Sequence, residues 1–361
     1  MDKIGLLTFH NTTNFGSMLQ SYALYKTIQR LGGNCELINY SCPTIEKREL
    51  PLKLQACRSP KRLLKWLLCY RFSHIKYEKF QDFFEDNFEN KTVRCTKDEL
   101  ISLEAEYDRF IVGSDIIWGL DITGNDYTYF LDFVTGKKKY AYAASFGHDR
   151  LPFPISEIKK MKELMTKFDG ISVRETSGME IVKELAGKEA TLVSDPTFLL
   201  ERKDWEAKIS SSTVLKDRNY ILVYFAYDEK YTFQLAKTLA KKTGCQIVYI
   251  HNSTLNYPGV KNIKTASVED FLWLIRNAEY VISGSYHGVV FSIIFNKNFY
   301  YINKKYTSRI KSLMDIFGLQ DRILSEENIE TLSNINYGPV NSILNNFANH
   351  SKVVLGHFIY D

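Results

Sequence analysis

The sequence has few features of a secreted, membrane-spanning or metal-dependent protein. Its six cysteines are scattered, with no C-x-x-C pair and no histidine at zinc spacing, so neither a disulfide framework nor a zinc site is expected. No stretch holds the roughly 18 consecutive apolar residues of a transmembrane helix. The opening "MDKIGLLTFHNTTN" has too short an apolar run for a signal peptide. We therefore expect a cytoplasmic protein with reduced cysteines and no metal.

Several signals of other function classes are also missing. The seven histidines are dispersed, and there is no G-x-S-x-G elbow of the kind that carries a hydrolase serine. The first glycine-containing turn, "FHNTTNFGSMLQ", is neither G-x-G-x-x-G nor a P-loop. A net charge of +5 is too small to indicate nucleic-acid binding, and none is expected.

The sequence does contain a repeated alternation of strand and helix patterns. A strand pattern at Lys3–Phe9 is followed by a helix that stops at Gly32-Gly33 and by a second strand pattern at Asn34–Tyr40. This βαβ rhythm continues to Leu200, is interrupted by a polar stretch, and restarts at Tyr220. We predict an α/β fold of two Rossmann-like domains that face each other across a cleft.

The rhythm also predicts where the domains divide. We expect residues 1–200 to form the first domain, with a basic helical insertion at about 47–95. Residues 201–335 form the second domain, and residues 336–361 form a helix that packs back on the first. The family resemblance given below places the acceptor of a transfer reaction on the first domain and the donor on the second.

The insertion has an uneven charge. Lys47–Phe80 is rich in lysine and arginine and nearly free of acidic residues, and Leu64, Leu68, Phe72, Ile75 and Phe80 can share one side of a helix. One interpretation is a surface helix with a solvated basic face. The other is a peripheral contact with an anionic membrane, since basic amphipathic helices bind such surfaces.

Ligands in open parallel sheets bind beyond the carboxyl ends of the strands, so the strand-to-helix turns are the candidate site. In the first turn, Asn14 and Gly16 form a tight turn at a helix start that either is capped, by Ser17 for example, or binds a ligand. In "VGSDIIW", Asp115 with Ser114 either caps the next helix or acts as a general acid or base. Trp118 either packs beneath this turn or stacks on a sugar.

Three further turns carry cationic or hydrogen-bonding groups. Arg174 ends a strand and either binds an anion or pairs with a neighbouring carboxylate such as Glu175. His287 opens an apolar helix beside Ser285 and Gly288, where free amides, a hydroxyl and close approach favour a phosphate or carboxylate. Arg309 lies in the first turn of another helix, either as an anion contact or as a surface residue.

Together these turns resemble those of the polysaccharide pyruvyltransferase family. The similar pieces run in family order from Gly5 to about Arg322 and include "NFGSMLQSYAL", "YDRFIVGSDIIW", "YAYAASFG", "ISVRE", "SDPTFLL", "YVISGSYHGVVFSIIF" and "SRIKSLMDIFGLQDR". Ile116, Gly119 and Gly284 differ from residues that are common in the family.

The resemblance implies a GT-B-like fold and an enzyme that transfers a pyruvate ketal from phosphoenolpyruvate to two hydroxyls of a sugar in a surface or lipid-linked glycan. Phosphoenolpyruvate is then a co-substrate and no cofactor is required. Carried onto this sequence, the donor contacts fall on Arg174, Ser285, His287, Gly288 and Arg309.

In our mechanistic hypothesis Asp115 and His287 are the catalytic residues, while Asn14, Gly16, Ser114 and Trp118 contact the acceptor. Two alternatives stay open, a glycosyltransferase that uses a nucleotide sugar and a non-catalytic glycan-binding relative.

Overall fold

A computed structural model describes residues 2–209, 214–215, 219–226, 229–302, 308–324 and 333–361. Parts of the predicted polar connection at 200–219, and residues 303–304 of the predicted strand that begins at Phe299, lie outside these ranges. The first half of the chain contains the following elements, in order: β1 Lys3–Leu7, α1 Phe15–Arg30, β2 Asn34–Leu37, α2 Pro43–Glu49, α3 Pro60–Asn87, α4 Lys97–Leu103, β3 Arg109–Val112, α5 Leu120–Thr123, β4 Lys138–Ala144, α6 Ile155–Met165, β5 Gly170–Val173, α7 Thr176–Ala186 and β6 Thr191–Leu192.

The six strands of this half form one parallel sheet in the order β2-β1-β3-β4-β5-β6. β1 and β3 are almost wholly buried, which is the pattern of a parallel sheet covered by helices on both faces. Because the strands are parallel, their carboxyl ends meet at one edge, and the turns after β1, β3, β5 and β6 lie side by side there.

The second half repeats this architecture. Its elements are α8 Arg202–Lys208, β7 Tyr220–Tyr224, α9 Glu229–Thr243, β8 Gln246–Ile250, β9 Lys261–Ile263, α10 Val268–Asn277, β10 Tyr280–Ser283, α11 Tyr286–Ile294, β11 Asn298–Tyr301, α12 Ser308–Phe317 and α13 Tyr337–Tyr360. The parallel sheet has the order β11-β10-β7-β8-β9. The sequence pattern did not predict β9, because three residues are too few to show a periodicity. The predicted fold of two parallel-sheet domains is confirmed.

The last helix returns to the first domain, as predicted. α13 begins against the second domain, where the Tyr337 hydroxyl donates to the Lys297 carbonyl at 2.6 Å. It ends on the first sheet, where the ring of Phe358 stacks on Tyr140 with centroids 4.9 Å apart. In between, the Ser351 hydroxyl accepts the Ser194 amide at 2.8 Å.

The basic insertion is mostly helix. In α3 the C-terminal half packs into the core through Phe80, Phe83 and Phe84, while Leu64 and Leu68 of the N-terminal half are exposed. The shared apolar side predicted for this helix is therefore buried only toward its C-terminal end. Within the described residues, no helix is both long and apolar enough to cross a membrane.

The two domains are in close contact around α1. Phe15, its first residue, stacks on Phe271 of α10 with ring centroids 4.5 Å apart. A second contact joins the start of α7 to α12, where the amide of Thr176 donates to the Ser312 hydroxyl at 3.1 Å. These contacts bring the carboxyl ends of the two sheets against each other, which places the turns of both domains around one cavity.

Candidate active site

Asp115 occupies the turn after β3 and is held in a fixed orientation. Its φ of 73° lies in the left-handed region, which Asp tolerates better than most residues. One carboxylate oxygen accepts the Ser17 hydroxyl at 2.7 Å, and the other accepts the Ile116 amide at 2.9 Å and Nη2 of Arg174 at 3.2 Å. The next helix, α5, has Gly119 as its N-cap, so Asp115 does not cap it.

Arg174, after β5, joins two carboxylates beneath the cavity. Its Nη1 donates to Asp195 at 2.8 Å, its Nη2 donates to Asp115, and its guanidinium lies 4.6 Å from the centre of the Tyr286 ring. Burial lowers the pKa of Arg174, but Asp115, Tyr286 and Asp195 together raise it more, so the net pKa lies above its ordinary value. The side chain is wholly buried, and the pairing alternative considered for it is the one the structure contains.

Asp195, in the turn after β6, completes this network. One of its oxygens accepts the amide and the hydroxyl of Thr197, and the other faces Arg174 and lies 3.5 Å from Nε2 of His287. Burial raises the pKa of Asp195, but His287 and then Arg174 outweigh burial and hold it well below its ordinary value. Asp195 is therefore a carboxylate at neutral pH.

The pKa of Asp115 moves in the same direction. Burial raises it, and the positive charge of Arg174, followed by His287 and the hydrogen bond from Ser17, lowers it more. Asp115 is thus ionised as well, and it is the carboxylate of the pair that lines the cavity. An ionised group in this position can accept a proton or stabilise positive charge.

His287 is the second residue of α11 and faces the first domain across the cleft. A Cβ on Gly16 would lie 2.0 Å from Nδ1 of His287, so only glycine allows α1 and α11 to approach this closely. Gly16 is not among the residues that line the cavity, and its predicted acceptor contact stays a prediction.

The N-terminus of α11 also faces the cavity. Ser285, at its N-cap, lines the cavity and makes no capping hydrogen bond through its side chain. The amides of the first turn have no partner within the helix, and they give this end a partial positive charge. Gly288, in contrast, packs beneath Ser283, whose hydroxyl would lie 2.2 Å from an added Cβ. Gly288 is not among the residues that line the cavity, and its predicted donor contact stays a prediction.

Arg309, in the first turn of α12, adds a full positive charge to the wall that contains the N-terminus of α11. It lines the cavity, and its Nε is buried without a hydrogen-bond partner among the described residues. Burial, followed by repulsion from Arg174, holds the pKa of Arg309 below its ordinary value, although an arginine stays protonated in proteins. A buried cation with an open donor is suited to an anionic ligand.

These side chains surround a cavity of about 180 Å³. The first domain contributes Asn14, Ser17, Arg48 and Asp115, and the second contributes Ser285, His287 and Arg309, with Tyr224 and Tyr301 among the remaining lining residues. The side chain of Asn14 caps α1 by accepting the amides of Gly16 and Ser17. Asn14 also lines the cavity, so its predicted contact with a ligand is compatible with capping.

Two predicted acceptor residues lie outside the cavity. Trp118 is fully buried, donates through Nε1 to the Tyr129 carbonyl at 3.1 Å and packs among Phe130 and Phe146. Ser114 is also fully buried, and its amide donates to Gln20. Both predictions are corrected: these residues support the Asp115 turn from the core and are not accessible to a sugar.

The sequence interpretation missed three residues of the site. Asp195 could have been predicted from the sequence, since it is a polar residue that follows a short apolar strand, just as Asp115 is. Ser17 was considered only as a cap, but its hydroxyl reaches across to Asp115. Arg48 comes from α2 in the insertion and carries no local pattern that would place it at the cavity. Within the described residues, no group of three His, Cys, Asp or Glu side chains could hold a metal ion.

Two α/β domains that enclose a polar cavity between the carboxyl ends of their sheets define a GT-B fold. A sequence profile described as polysaccharide pyruvyl transferase matches residues 14–306, and the chain belongs to this family. No functionally curated protein matches the sequence significantly.

Solved structures of the same fold support the architecture. UDP-GlcNAc 2-epimerase from Methanocaldococcus jannaschii, in complex with UDP-GlcNAc and UDP, superposes with a TM-score of 0.54 at 13% identity and covers 99% of each chain. UDP-N-acetylglucosamine 2-epimerase from Rickettsia bellii has a TM-score of 0.54 at 11% identity, over 99% of this chain and 97% of that chain. At such identities the likeness extends to the fold alone.

Proposed function

We propose that this protein transfers a carboxyethylidene group from phosphoenolpyruvate to two hydroxyls of a sugar in a surface or lipid-linked glycan, and releases phosphate. The observation that carries the proposal is the division of the cavity into the ionised Asp115 on one wall and, on the other, Arg309 beside the N-terminus of α11. Membership of the polysaccharide pyruvyl transferase family supports the reaction class.

The positive wall suits the donor. Phosphoenolpyruvate carries a phosphate and a carboxylate, and this wall offers Arg309, His287 and the N-terminus of α11. Ser285 adds a hydroxyl at the same end. Arg174 does not line the cavity, so we assign it to positioning Asp115 and Asp195. The direct donor contact predicted for Arg174 would require the donor to replace one of its carboxylate partners.

The ionised Asp115 suits the acceptor chemistry. In the transfer, the methylene carbon of phosphoenolpyruvate takes up a proton and becomes a methyl group, while a sugar hydroxyl adds to C2 and loses its proton. The C2–O bond to phosphate then breaks, and the second hydroxyl adds and loses its proton. Of the two hydroxyl protons, one is balanced by the methyl group and the other leaves with phosphate.

We assign to Asp115 the acceptance of a hydroxyl proton and the stabilisation of the oxocarbenium-like centre at C2. Protonated His287, held near Asp195, donates a proton to the departing phosphate. We assign Asn14 and Arg48, which line the cavity from the first domain, to contacts with the acceptor. No metal or other cofactor enters this scheme.

The size of the cavity favours this donor over a nucleotide sugar. At about 180 Å³ it is smaller than the roughly 300–1,000 Å³ typical of sites for drug-sized ligands. A three-carbon phosphorylated acid needs less space than a nucleoside diphosphate sugar. Both reactions also need room for an acceptor sugar, so this comparison concerns the donor alone.

A donor comparison tests the proposal. Purified protein is incubated with phosphoenolpyruvate and a panel of sugars and glycan fragments, with phosphate release and a carboxyethylidene mass increment as readouts. We expect both with at least one acceptor, and their loss in His287→Gln but not in His148→Gln, a histidine outside the cavity. A thermal shift with UDP and none with phosphoenolpyruvate would contradict the proposal and support the glycosyltransferase.

A further inference from the structure

The N-terminal half of α3 exposes a cluster of leucines. Leu63, Leu64, Leu67 and Leu68, which we call the leucine face, are 41, 58, 61 and 53% exposed. Single exposed apolar residues are common on protein surfaces, whereas a contiguous apolar patch marks an interaction site. Leu54 and Tyr70, also exposed, lie close in sequence to this face.

Helix geometry directs the leucine face away from the protein. At about 100° per residue, its four side chains cover an arc of roughly 140°. Cys69 and Ser73 lie on the opposite side of α3, where they line a cavity against α2. The buried Phe80, Phe83 and Phe84 anchor the C-terminal half of the helix. The leucine face is thus a fixed, outward surface.

The charge around this surface has one sign. No acidic residue occurs between Glu49 and Glu78, while the N-terminal half of α3 and the segment before it contain Lys53, Arg58, Lys61, Arg62, Lys65 and Arg71. Arg71 projects within the leucine arc and Lys61 at its margin, so their long side chains can reach lipid headgroups while the leucines enter the acyl region. Apolar side chains bordered by cations match an anionic lipid surface.

The helix that carries the leucine face also borders a cavity next to the catalytic one. Arg48 lines the catalytic cavity and also a second one of about 270 Å³ between α2 and α3, which includes Trp66 and Tyr70 in its walls. The second cavity lies on the side of α3 opposite the leucines, so a membrane bound at the leucine face would be separated from it by the width of this helix.

We propose that the leucine face inserts into an anionic membrane surface and docks the enzyme beside its acceptor. The reference to a lipid-linked acceptor rests on the proposed function, whereas membrane binding itself does not. The test is flotation of the full chain with vesicles of phosphatidylcholine and phosphatidylglycerol in equal parts, and with vesicles of phosphatidylcholine alone. The assay contains no phosphoenolpyruvate and no sugar, so its result is independent of catalysis.

We expect binding to the mixed vesicles and much weaker binding to phosphatidylcholine. L63Q/L64Q/L67Q/L68Q should partition at least about 100-fold less, because each inserted leucine contributes a factor of roughly ten. Glutamine favours helix, so α3 should persist in the variant. The matched control V93Q/I101Q/I155Q/V353Q removes four apolar side chains that lie outside the leucine face and are at least as exposed as its leucines, and it should bind like the wild type.

Three results would overturn the proposal: a wild-type protein that does not float with the mixed vesicles, a leucine variant that binds as well as wild type, and a control that loses binding to the same extent. Light scattering adds a fourth. A wild-type dimer that the leucine variant dissociates would show that the face is covered by a second copy of the chain.

Discussion

Arg174 and Arg309 contribute to the same site but have opposite surroundings. Arg174 is wholly buried, donates to Asp115 and Asp195, and has a pKa above its ordinary value. Arg309 lines the cavity, has a buried Nε without a partner among the described residues, and has a pKa below its ordinary value. The Nε of Arg174 also lacks a hydrogen-bond partner, so the two arginines differ in their ion pairs: Arg174 bonds to two carboxylates, and Arg309 forms no ion pair among the described residues.

The difference shows that a residue's place in the fold does not define its role. Both arginines follow a strand of a parallel sheet, the location in which ligand-binding residues are expected. Their ion pairs distinguish them, because a guanidinium bonded to two carboxylates has less capacity for a substrate anion than one without an ion pair among the described residues. This comparison predicts different outcomes for the same substitution at the two positions.

The largest expected effect is that of Arg174→Ala. It leaves Asp115 and Asp195 buried without their counter-ion, so we expect a loss of about 3–5 kcal/mol in the free energy of unfolding together with loss of transfer activity. Urea denaturation measures the first and phosphate release the second. If Arg174→Ala is as stable as wild type and loses only phosphoenolpyruvate binding, Arg174 is a donor ligand and the distinction between the arginines is wrong.

Two companion variants sharpen this result. Arg109→Ala removes a buried arginine that pairs with Asp2 far from the cavity, and it should destabilise the fold while the folded fraction keeps its activity. R174M/D115N/D195N removes all three charges together and should recover much of the stability, but none of the activity.

The next effect is that of Asp115→Asn. The amide is similar in shape but cannot accept a hydroxyl proton, so we expect kcat to fall by roughly 10²–10⁴-fold while the KM for phosphoenolpyruvate changes little. Steady-state phosphate release measures both constants. Asp121→Asn, an exposed aspartate outside the cavity, is the control. A selective rise in KM would instead place Asp115 among the donor contacts.

A smaller effect is expected for Arg309→Ala. It removes a charge-assisted contact to the donor, so the KM for phosphoenolpyruvate should rise by about 10–100-fold. The free energy of unfolding should fall far less than in Arg174→Ala, because Arg309 forms no ion pair among the described residues, whereas Arg174 forms two with buried aspartates. Lys311→Ala, on the exposed side of the same helix, should change neither. A destabilisation as large as that of Arg174→Ala would remove the contrast between the two arginines.

Much of the fold is predictable from the sequence because the strands are buried and the helices periodic. β1, α1 and β2 were predicted from a run of apolar residues, an amphipathic pattern and a glycine stop. The leucines of α3 show the limit of such patterns. A helical stripe of apolar residues indicates a face, but whether another element covers that face depends on distant parts of the chain.

The site was predictable in outline only. Asp115, His287 and Arg309 were found because each follows a strand, and all three line one cavity. Trp118 was misassigned because an aromatic residue beside a catalytic turn can face either the ligand or the core. Asp195 follows a strand as Asp115 does, but its role depends on the hydrogen bond that it accepts from Arg174. Sequence spacing does not reveal this contact.

The smallest effect concerns Glu175, which contrasts with the two aspartates of the network. Burial raises the pKa of Glu175 above its ordinary value of 4.5, although Arg174 and the hydrogen bond from Ser145 oppose this. Asp115 and Asp195 have lowered pKa values, so their contribution to stability is present above pH 3.8, their ordinary pKa, and is lost as the pH falls further. For Glu175 the dependence on pH is reversed, because the folded protein holds this proton more tightly than the unfolded chain does. The unfolded chain loses the proton first as the pH rises above 4.5, and the stability of the folded protein falls.

Wild-type protein should therefore lose stability relative to Glu175→Gln as the pH rises from 4.5 through the pKa of Glu175 in the folded protein. The variant should gain stability relative to wild type near neutral pH, because the raised pKa of Glu175 makes its ionised form less stable in the folded protein than in the unfolded chain. Urea midpoints across this range measure it, with the exposed Glu180→Gln as control. A difference that does not change with pH would mean that Glu175 is ionised as readily in the fold as in the unfolded chain. Arg174 would then stabilise three ionised carboxylates, Asp115, Asp195 and Glu175, whereas Arg309 forms no ion pair among the described residues.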